Sequence, residues 1–457
     1  MSIGISGKAA FDNRGSRGIG AAVAFLRRFP GRIAIYSSFR LATTDLERSR
    51  EGSNRLAPRD ETFIPDLEES AIRTLDAARE LGPTIFAATD EIEQGRRLPI
   101  HLVHQMQRAG VFRMAMPQAW GGPELDFLTQ VRVIEELSTV NASAGWCAMI
   151  GVDGGYVTAY IDQAVAREMY RDIDAVTAIT FAPPGKAVKT KNGFIATGRW
   201  PFASGCQHAT WLIGHFAIFD GDSPRLQANG LPETRFGFVP ADEAEIFDTW
   251  TSNGLRGSGS HDWMVHDRFI PEKRTFNLAA PINYRQRSLY ALPNLLIYKV
   301  CAVPLGIARG AIDEFVRLAS NKPVTFKSPT ARQAMLRDEV FAQCAVAQAE
   351  ALVSSARGFV FESFTDMWET LTSGVLPSSK QRARARLAMV HASAACTQAV
   401  ELLYKANGGA SVYVGNAFDC RLRDIQTANQ HTMVSLKTWE VTGRVLLGLE
   451  HNHGLLF

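Results

Sequence analysis

Cysteine is scarce and scattered in this chain of 457 residues. The six stand at Cys147, Cys206, Cys301, Cys344, Cys396 and Cys420, with no Cys-x-x-Cys pair and no cluster of cysteine with histidine. That spacing argues against a zinc centre and a disulfide framework, and fits reduced thiols in a cytosol. Charge of one sign is lacking too. A formal net charge of +3 offers no field for nucleic acid or an anionic lipid surface, so neither is expected as a partner. The apolar runs are far short of the roughly 20 residues that cross a bilayer, so a soluble, cytoplasmic protein without a membrane partner is expected.

A complete dinucleotide-binding unit is also missing. Gly15-Ser16-Arg17-Gly18-Ile19-Gly20-Ala21-Ala22 resembles the glycine-rich turn of short-chain dehydrogenases. That mechanism needs a hydrophobic strand before the turn and a full βαβ unit after it. Ala9–Arg14 is a poor strand, and no acidic residue follows in a suitable second strand. The segment is rich in arginine and poor in acids, as in a transit peptide, but has no apolar core like that of a secretory signal. Residues 1–60 are expected to be a poorly ordered, dispensable extension.

What is present falls into three blocks. From 61 to 175 the pattern is helical: Leu67, Ala71, Leu75, Ala78 and Leu81 recur at helical spacing, and a second helix runs through His101 to Arg108. Gly110 closes it, a further helix carries Val131, Ile134 and Leu137, and Gly145–Gly151 is apolar nearly all round and so buried. His101 and His104 have no carboxylate at ligand spacing and read as solvated or capping residues. From 176 to 285 the period becomes two. Strands are predicted at Val176–Phe181, Ala187–Thr190, Phe194–Trp200, Trp211–Phe219, Thr234–Val239 and Trp263–Ile270, with Asn192-Gly193 as a hairpin signal. Such a run suits an antiparallel barrel or sandwich. From 286 to 457 the helical period returns, first through Leu296, Val300, Val303, Ile307 and Ala311, then over 333–360, 380–406 and 433–449. Four long amphipathic helices imply a bundle. Arg382, Arg384 and Arg386 read as a solvated face.

The stretch Gly198–Trp211 starts as a strand and breaks its own pattern. Pro201 removes a ladder donor and Gly205 offers a backbone position without a Cβ. A wall for a flat aromatic ligand and an ordinary bulged corner with its aromatics in the core both satisfy these residues. The loop Gly254-Leu255-Arg256-Gly257-Ser258-Gly259-Ser260 is likewise either an anion nest or a flexible turn.

Three stretches then carry a resemblance. Arg199-Trp200-Pro201-Phe202-Ala203-Ser204-Gly205-Cys206, Gly254–Ser260, and Arg423-Asp424 followed by His431 resemble, in that order, motifs of the two-component flavin monooxygenases that share the acyl-CoA dehydrogenase fold. The likeness covers roughly residues 62–457. It implies an α+β architecture with an amino-terminal helical domain, a middle antiparallel β-barrel and a carboxy-terminal four-helix bundle. It implies reduced flavin (FMN or FAD) and O2 as cofactors, a separate NAD(P)H-flavin reductase and a homotetramer. It also implies a C4a-hydroperoxyflavin that oxygenates an aromatic or heteroatom-containing small molecule. On the same basis Trp200, Phe202, Ala203, Ser204 and Gly205 line the flavin, with Arg256, Gly257 and Ser258 at its phosphate. Ser204 meets flavin N5 or O4, and His431 sits beside the reacting oxygen and the substrate.

An acyl-CoA dehydrogenase needs a glutamate base, and neither position the family uses for it carries a carboxylate here: Ile425–Thr432 and Leu296–Tyr298 contain none. Oxygenation is therefore expected over dehydrogenation, with a divergent dehydrogenase or nitroalkane-oxidase-like enzyme and a flavin-free scaffold as the alternatives. Phenol-oxidising relatives carry histidines in a Gly-Val-His-Asn-Trp-His pattern. Here the matching residues are Gly151-Val152-Asp153-Gly154-Gly155-Tyr156. Trp146, Asp153, Tyr156 and His431 are the expected substrate contacts. Asp153 stands where an imidazole would, as a base, a binder of a basic nitrogen or a helix cap.

Overall fold

The computed structural model describes residues 68–449 apart from 183, 229, 279–280 and 325–333. The first 60 residues, with the Gly15–Ala22 turn, and Leu67 lie outside the described residues.

The chain opens with helices α1 (Glu69–Glu80), α2 (Gly82–Ala87), α3 (Thr89–Gly95), α4 (Ile100–Arg108), α5 (Phe127–Val140), α6 (Ala142–Gly151), α7 (Asp153–Val157) and α8 (Gln163–Met169). Side chains start the central ones: Asp126 accepts from the Thr129 N–H and Asn141 from the Ala144 N–H. The expected apolar stripe on α1 is buried through Ala71, Leu75 and Ala78. Gly110 closes the turn after α4 at φ +78°. Between α6 and α7 only Val152 intervenes, and it is right-handed helical (φ −72°, ψ −15°). Trp146 and Asp153, seven residues apart, therefore share one face.

Among the described residues nine strands follow: β1 (Thr177–Ile179), β2 (Gly185–Lys189), β3 (Gly193–Ala203), β4 (Trp211–Asp220), β5 (Ser223–Pro224), β6 (Thr234–Pro240), β7 (Glu245–Phe247), β8 (His261–Pro271) and β9 (Thr275–Phe276). All six predicted strands are found, and β2 and β3 pair across the Asn192-Gly193 hairpin. The expected antiparallel barrel is corrected. The pairing order β7-β8-β3-β2-β4-β6-β9 is an open path, and β4 runs parallel to both β1 and β2. The cause is the corner after β3. Instead of a hairpin, residues 204–210 carry the chain across to the far side of β2, so β4 lies beside β2 in the same direction. Alternation reports which face a side chain takes and is silent about the neighbour's direction.

The last block holds α9 (Ser288–Ala291), α10 (Ala302–Asn321), α11 (Val340–Thr372), α12 (Ser379–Asn407), α13 (Ala417–Ala428) and α14 (Leu436–Leu446). The three long helices α10, α11 and α12 pack on one another, and α13 and α14 lie on α12. The fourth expected member, over 433–449, is thus only the short α14. Residues Leu295–Cys301 form a 3₁₀ segment rather than the start of α10. Pro304 has no N–H to give the carbonyl of Val300, so an α-helix running on from Leu295 would lose that bond in its interior, whereas the first turn of α10 tolerates it. Leu295–Asn321 is long and apolar enough to cross a membrane, contrary to the sequence reading, yet 89% of its apolar window is buried inside the fold as a core helix.

Candidate functional site

The site grows from the corner where β3 ends. Trp200 pairs with Trp263 on β8, whereas Ala203 pairs with His261, so three steps on one strand face two on the other. This bulge divides the aromatics. Trp200 is fully buried, stacked on Trp263 at 4.3 Å, and donates its indole N–H to the His215 carbonyl at 3.0 Å. Ala203 is buried in the same sheet core. Neither faces a ligand space, which corrects the expectation that Trp200 lines a flavin. Phe202 instead takes a left-handed backbone (φ +62°) and is 68% exposed, edge-on to Trp250 at 6.3 Å. The phenyl group is thus held outward by a backbone that L-residues avoid.

Beside it Ser204 is buried. Its Oγ accepts from Trp146 Nε1 at 2.9 Å and lies 2.7 Å from Ser260 Oγ, which in turn lies 2.7 Å from Ser258 Oγ. Ser204 Oγ thus accepts from Trp146, and either hydroxyl of the Ser204–Ser260 pair can be the donor between them. Gly205 (φ +75°) gives its N–H to the Ser258 carbonyl at 2.8 Å and thereby fastens the corner to the loop 254–260.

That loop is an anchored 3₁₀ turn. The Ser258 N–H bonds the Leu255 carbonyl, and the Gly259 N–H the Arg256 carbonyl, so neither is presented as an anion nest. Arg256 donates to the Glu93 and Ser252 carbonyls and pairs with the Glu93 carboxylate at 3.5 Å. Gly257 has no room for a Cβ, which would stand 2.0 Å from Ile92 Cγ2. On the other side Asp424 Oδ1 accepts the Leu255 N–H at 2.7 Å, and Arg423 pairs with Glu93 at 3.0 Å. Burial pushes the Asp424 carboxyl up to about 6, opposed by that N–H. The Arg-Asp pair of α13 is thus a clamp on the loop.

His431 caps the 3₁₀ turn Thr432–Val434 through Nδ1, which accepts from the Met433 N–H at 3.3 Å. Its ring meets the Trp146 indole edge-on at 5.7 Å, so one tryptophan touches both His431 and Ser204. Burial, with Arg386 adding to it, brings the imidazole down to about 4, so it is neutral at pH 7.

The third cluster lies two turns along from Trp146. Asp153 is 3% exposed, and its Oδ1 accepts from Lys299 Nζ at 2.8 Å. Lys299 is fully buried, its Nζ 4.3 Å from the Tyr156 ring, and Tyr156 donates its hydroxyl to Gln130 Oε1 at 2.9 Å. Burial raises the Asp153 carboxyl to about 6 against the pull of Lys299, and lowers Lys299. Asp153 is therefore an ion-pair member and caps no helix by its side chain.

Lys299 and Arg386 are the functional candidates that the sequence reading missed. Lys299 stands alone in the apolar run from Leu295 to Ile307, and a single cation there signals a buried pair. Arg386, read as solvated, is 1% exposed, with its guanidinium 4.8 Å from the Tyr298 ring and Nη1 3.6 Å from Met433 Sδ. Helical geometry separates it from Arg384, which is on the outer face and paired with Glu362 at 2.9 Å. Among the described residues no group of three or more His, Cys, Asp or Glu is placed to hold a metal.

Comparison with known proteins identifies the family. Residues 69–171 match the family profile of the acyl-CoA dehydrogenase N-terminal domain, and residues 298–436 that of its C-terminal domain. Indole-3-acetate monooxygenase of Pseudomonas putida is 30% identical over 376 residues, covering 81% of this chain and 92% of that protein. The flavin-dependent monooxygenase oxygenase subunit HsaA of Rhodococcus jostii is 27% identical over 373 residues, covering 79% and 93%. The crystal structure of the HsaA monooxygenase from M. tuberculosis superposes with a TM-score of 0.74 at 25% identity, covering 84% of this chain and 99% of that one. The chain therefore belongs to the flavin-dependent monooxygenases of the acyl-CoA dehydrogenase fold, oxygenase components that work with reduced flavin and O2.

Proposed function

We propose that the chain oxygenates an aromatic small molecule in the space bounded by Phe202, Ser204, Trp146, Asp153 and His431. The observation that carries this reading is the double contact of Trp146, to Ser204 Oγ through its N–H and to His431 through its ring edge. It puts a hydroxyl and a neutral imidazole against one indole. The curated relatives of this chain act on indole-3-acetate and, for one hydroxylase, on resorcinol, and this supports an aromatic substrate.

The flavin, FMN or FAD, supplies the electrons that activate O2. The protein's residues supply the rest. Phe202 and Trp250 offer apolar cover for a flat ring system, and Ser204 donates to a ring acceptor such as N5 or O4. The anchored loop 254–260 holds the Ser258 and Ser260 hydroxyls that orient Ser204. Trp146 and the buried helix α6 keep water from the oxygen, since a wet site releases peroxide instead of product. His431 takes or returns the proton at the substrate oxygen. Arg256, Gly257 and Ser258 act through the loop rather than as phosphate ligands.

The same reading includes electron supply by a separate NAD(P)H-flavin reductase and a cytosolic setting, in keeping with six cysteines that are all unbridged. It keeps the division into 61–175, 176–285 and 286–457, with residues 1–60 as an extension, and the assembly as a homotetramer. The test is turnover with reduced flavin supplied by an added reductase under ¹⁸O₂, over a panel of indoles and phenols. One labelled oxygen in the product supports the proposal. Bleaching of bound flavin by an acyl-CoA, with no label incorporated from any aromatic, overturns it.

A further inference from the structure

The ion pair Asp153–Lys299 is the most deeply buried among the described residues, with side-chain exposures of 4% and 0%. Removing two charges from water costs several kcal/mol per ion, and replacing such a pair with apolar residues is often neutral or stabilising. Stability alone is thus a weak reason to keep it. Its place is more telling. Asp153 shares a helix face with Trp146, two turns away or about 10 Å along the axis. Trp146 meets His431, the His431 turn meets Arg386 through Met433, Arg386 covers Tyr298, and Tyr298 is next to Lys299. These contacts link the helix face that carries Asp153 to the His431 turn and, through Tyr298, to the segment that carries Lys299.

The two carboxylate oxygens are not alike. Oδ1 takes the Lys299 hydrogen bond, and Oδ2 has no protein donor among the described residues. We propose that Lys299 is a specificity-determining positioning residue: by fixing Asp153 through Oδ1 it turns Oδ2 into the acceptor for the neutral N–H or O–H of an aromatic substrate. This rests on the monooxygenase reading and names the substrate class within it. A carboxylate accepts and does not donate, so an aromatic that offers a single donor is selected and its ether or thioether isostere is refused. Without the ammonium, a buried carboxyl takes up a proton at neutral pH and the charged acceptor is lost.

The experiment measures anaerobic binding to the holoenzyme with reduced flavin, using matched pairs: indole against benzofuran, and phenol against anisole. A hydrogen bond to a charged acceptor predicts a preference of about 10- to 100-fold for the donor member of at least one pair. Lys299→Met should cut that preference below about threefold, and Lys299→Arg, which keeps the charge, should retain it in part. Equal binding within both pairs, or a preference that survives Lys299→Met, overturns the proposal.

Should Lys299→Met fail to fold, the wild-type enzyme answers by pH. Asp153 titrates near 6, so the preference should fall as pH drops from 7.5 to 5. The other titratable or charged groups around the pair are Tyr156 and Tyr290, which burial raises, His431 near 4, Arg386, Asp126, and Glu135 paired with Arg357 at 2.8 Å. A preference that stays flat across that window overturns the proposal as well. An enzyme that incorporates ¹⁸O but shows no donor preference sinks only this inference. One that oxygenates nothing sinks the functional reading.

Discussion

Replacing Ser204 by alanine tests the geometry at its centre. The side chain is 6% exposed, accepts from Trp146 Nε1 at 2.9 Å and lies 2.7 Å from Ser260 Oγ. Two losses follow. The indole N–H of Trp146, itself 7% exposed, is left without its acceptor, at about 1–3 kcal/mol for a buried unsatisfied donor. On the proposed reading one neutral hydrogen bond from Ser204 to the flavin goes as well, about 1 kcal/mol or roughly fivefold in Kd. Trp146→Phe removes the donor instead, so in the double variant the unsatisfied N–H no longer exists. The losses must then be less than additive, by about 1 kcal/mol or more. Thermal midpoints of the four flavin-free proteins in one buffer give the stability cycle, and anaerobic calorimetry gives the reduced-flavin affinities. Strictly additive midpoint losses, with flavin binding unchanged by Ser204→Ala, would refute the reasoning.

Three further outcomes follow from the same geometry. His431→Ala should slow oxygenation by about 10²–10⁴-fold, the usual contribution of a positioned acid or base, while reduced flavin is still oxidised and H2O2 rises in step with the lost product; parental product yield with unchanged peroxide would remove His431 from the chemistry. Stability should fall as pH drops from about 6.5 to about 4, because His431 and His208 are both held near 4 by burial while the unfolded chain takes up protons below 6.5. Each contributes at most about 3 kcal/mol, less for its partial exposure, and Asp153 and Asp424, raised to about 6, oppose the slope. Melting midpoints between pH 7.5 and 5 check this, and an unchanged slope in a His208→Asn, His431→Asn double variant would contradict it. Sedimentation should find a D2 homotetramer, since the closed symmetry suits bundle packing; a monomer independent of concentration would exclude it.

Much of the fold was legible because period is a property of local burial. The stripe of α1 and the alternation of β3, β4, β6 and β8 each report which side of an element meets the core. What failed was information of another kind. Strand direction in the sheet depends on where residues 204–210 take the chain, and no pattern within β2 or β4 records that β4 lies parallel beside β2. The strands β5, β7 and β9 have two or three residues each, too few for a period to show.

The site divides along the same line. Ser204 and His431 were found by resemblance, and the structure joins them through Trp146. Trp200 and Phe202 were placed together at the flavin by the same resemblance, and strand alternation would also give residues two apart the same face. The bulge between Trp200 and Ala203 undoes that rule by one residue, sending Trp200 to the stack with Trp263 and Phe202 outward. The cations failed for a related reason. An arginine run such as Arg382, Arg384 and Arg386 is polar by composition, yet positions four apart share a face and positions two apart do not. Arg386 is carried inward to Met433 and the His431 turn, and Lys299 inward to Asp153. Both charges acquire their meaning only from residues more than 40 positions away in sequence. A buried cation whose partner is distant is the feature a single sequence conceals best.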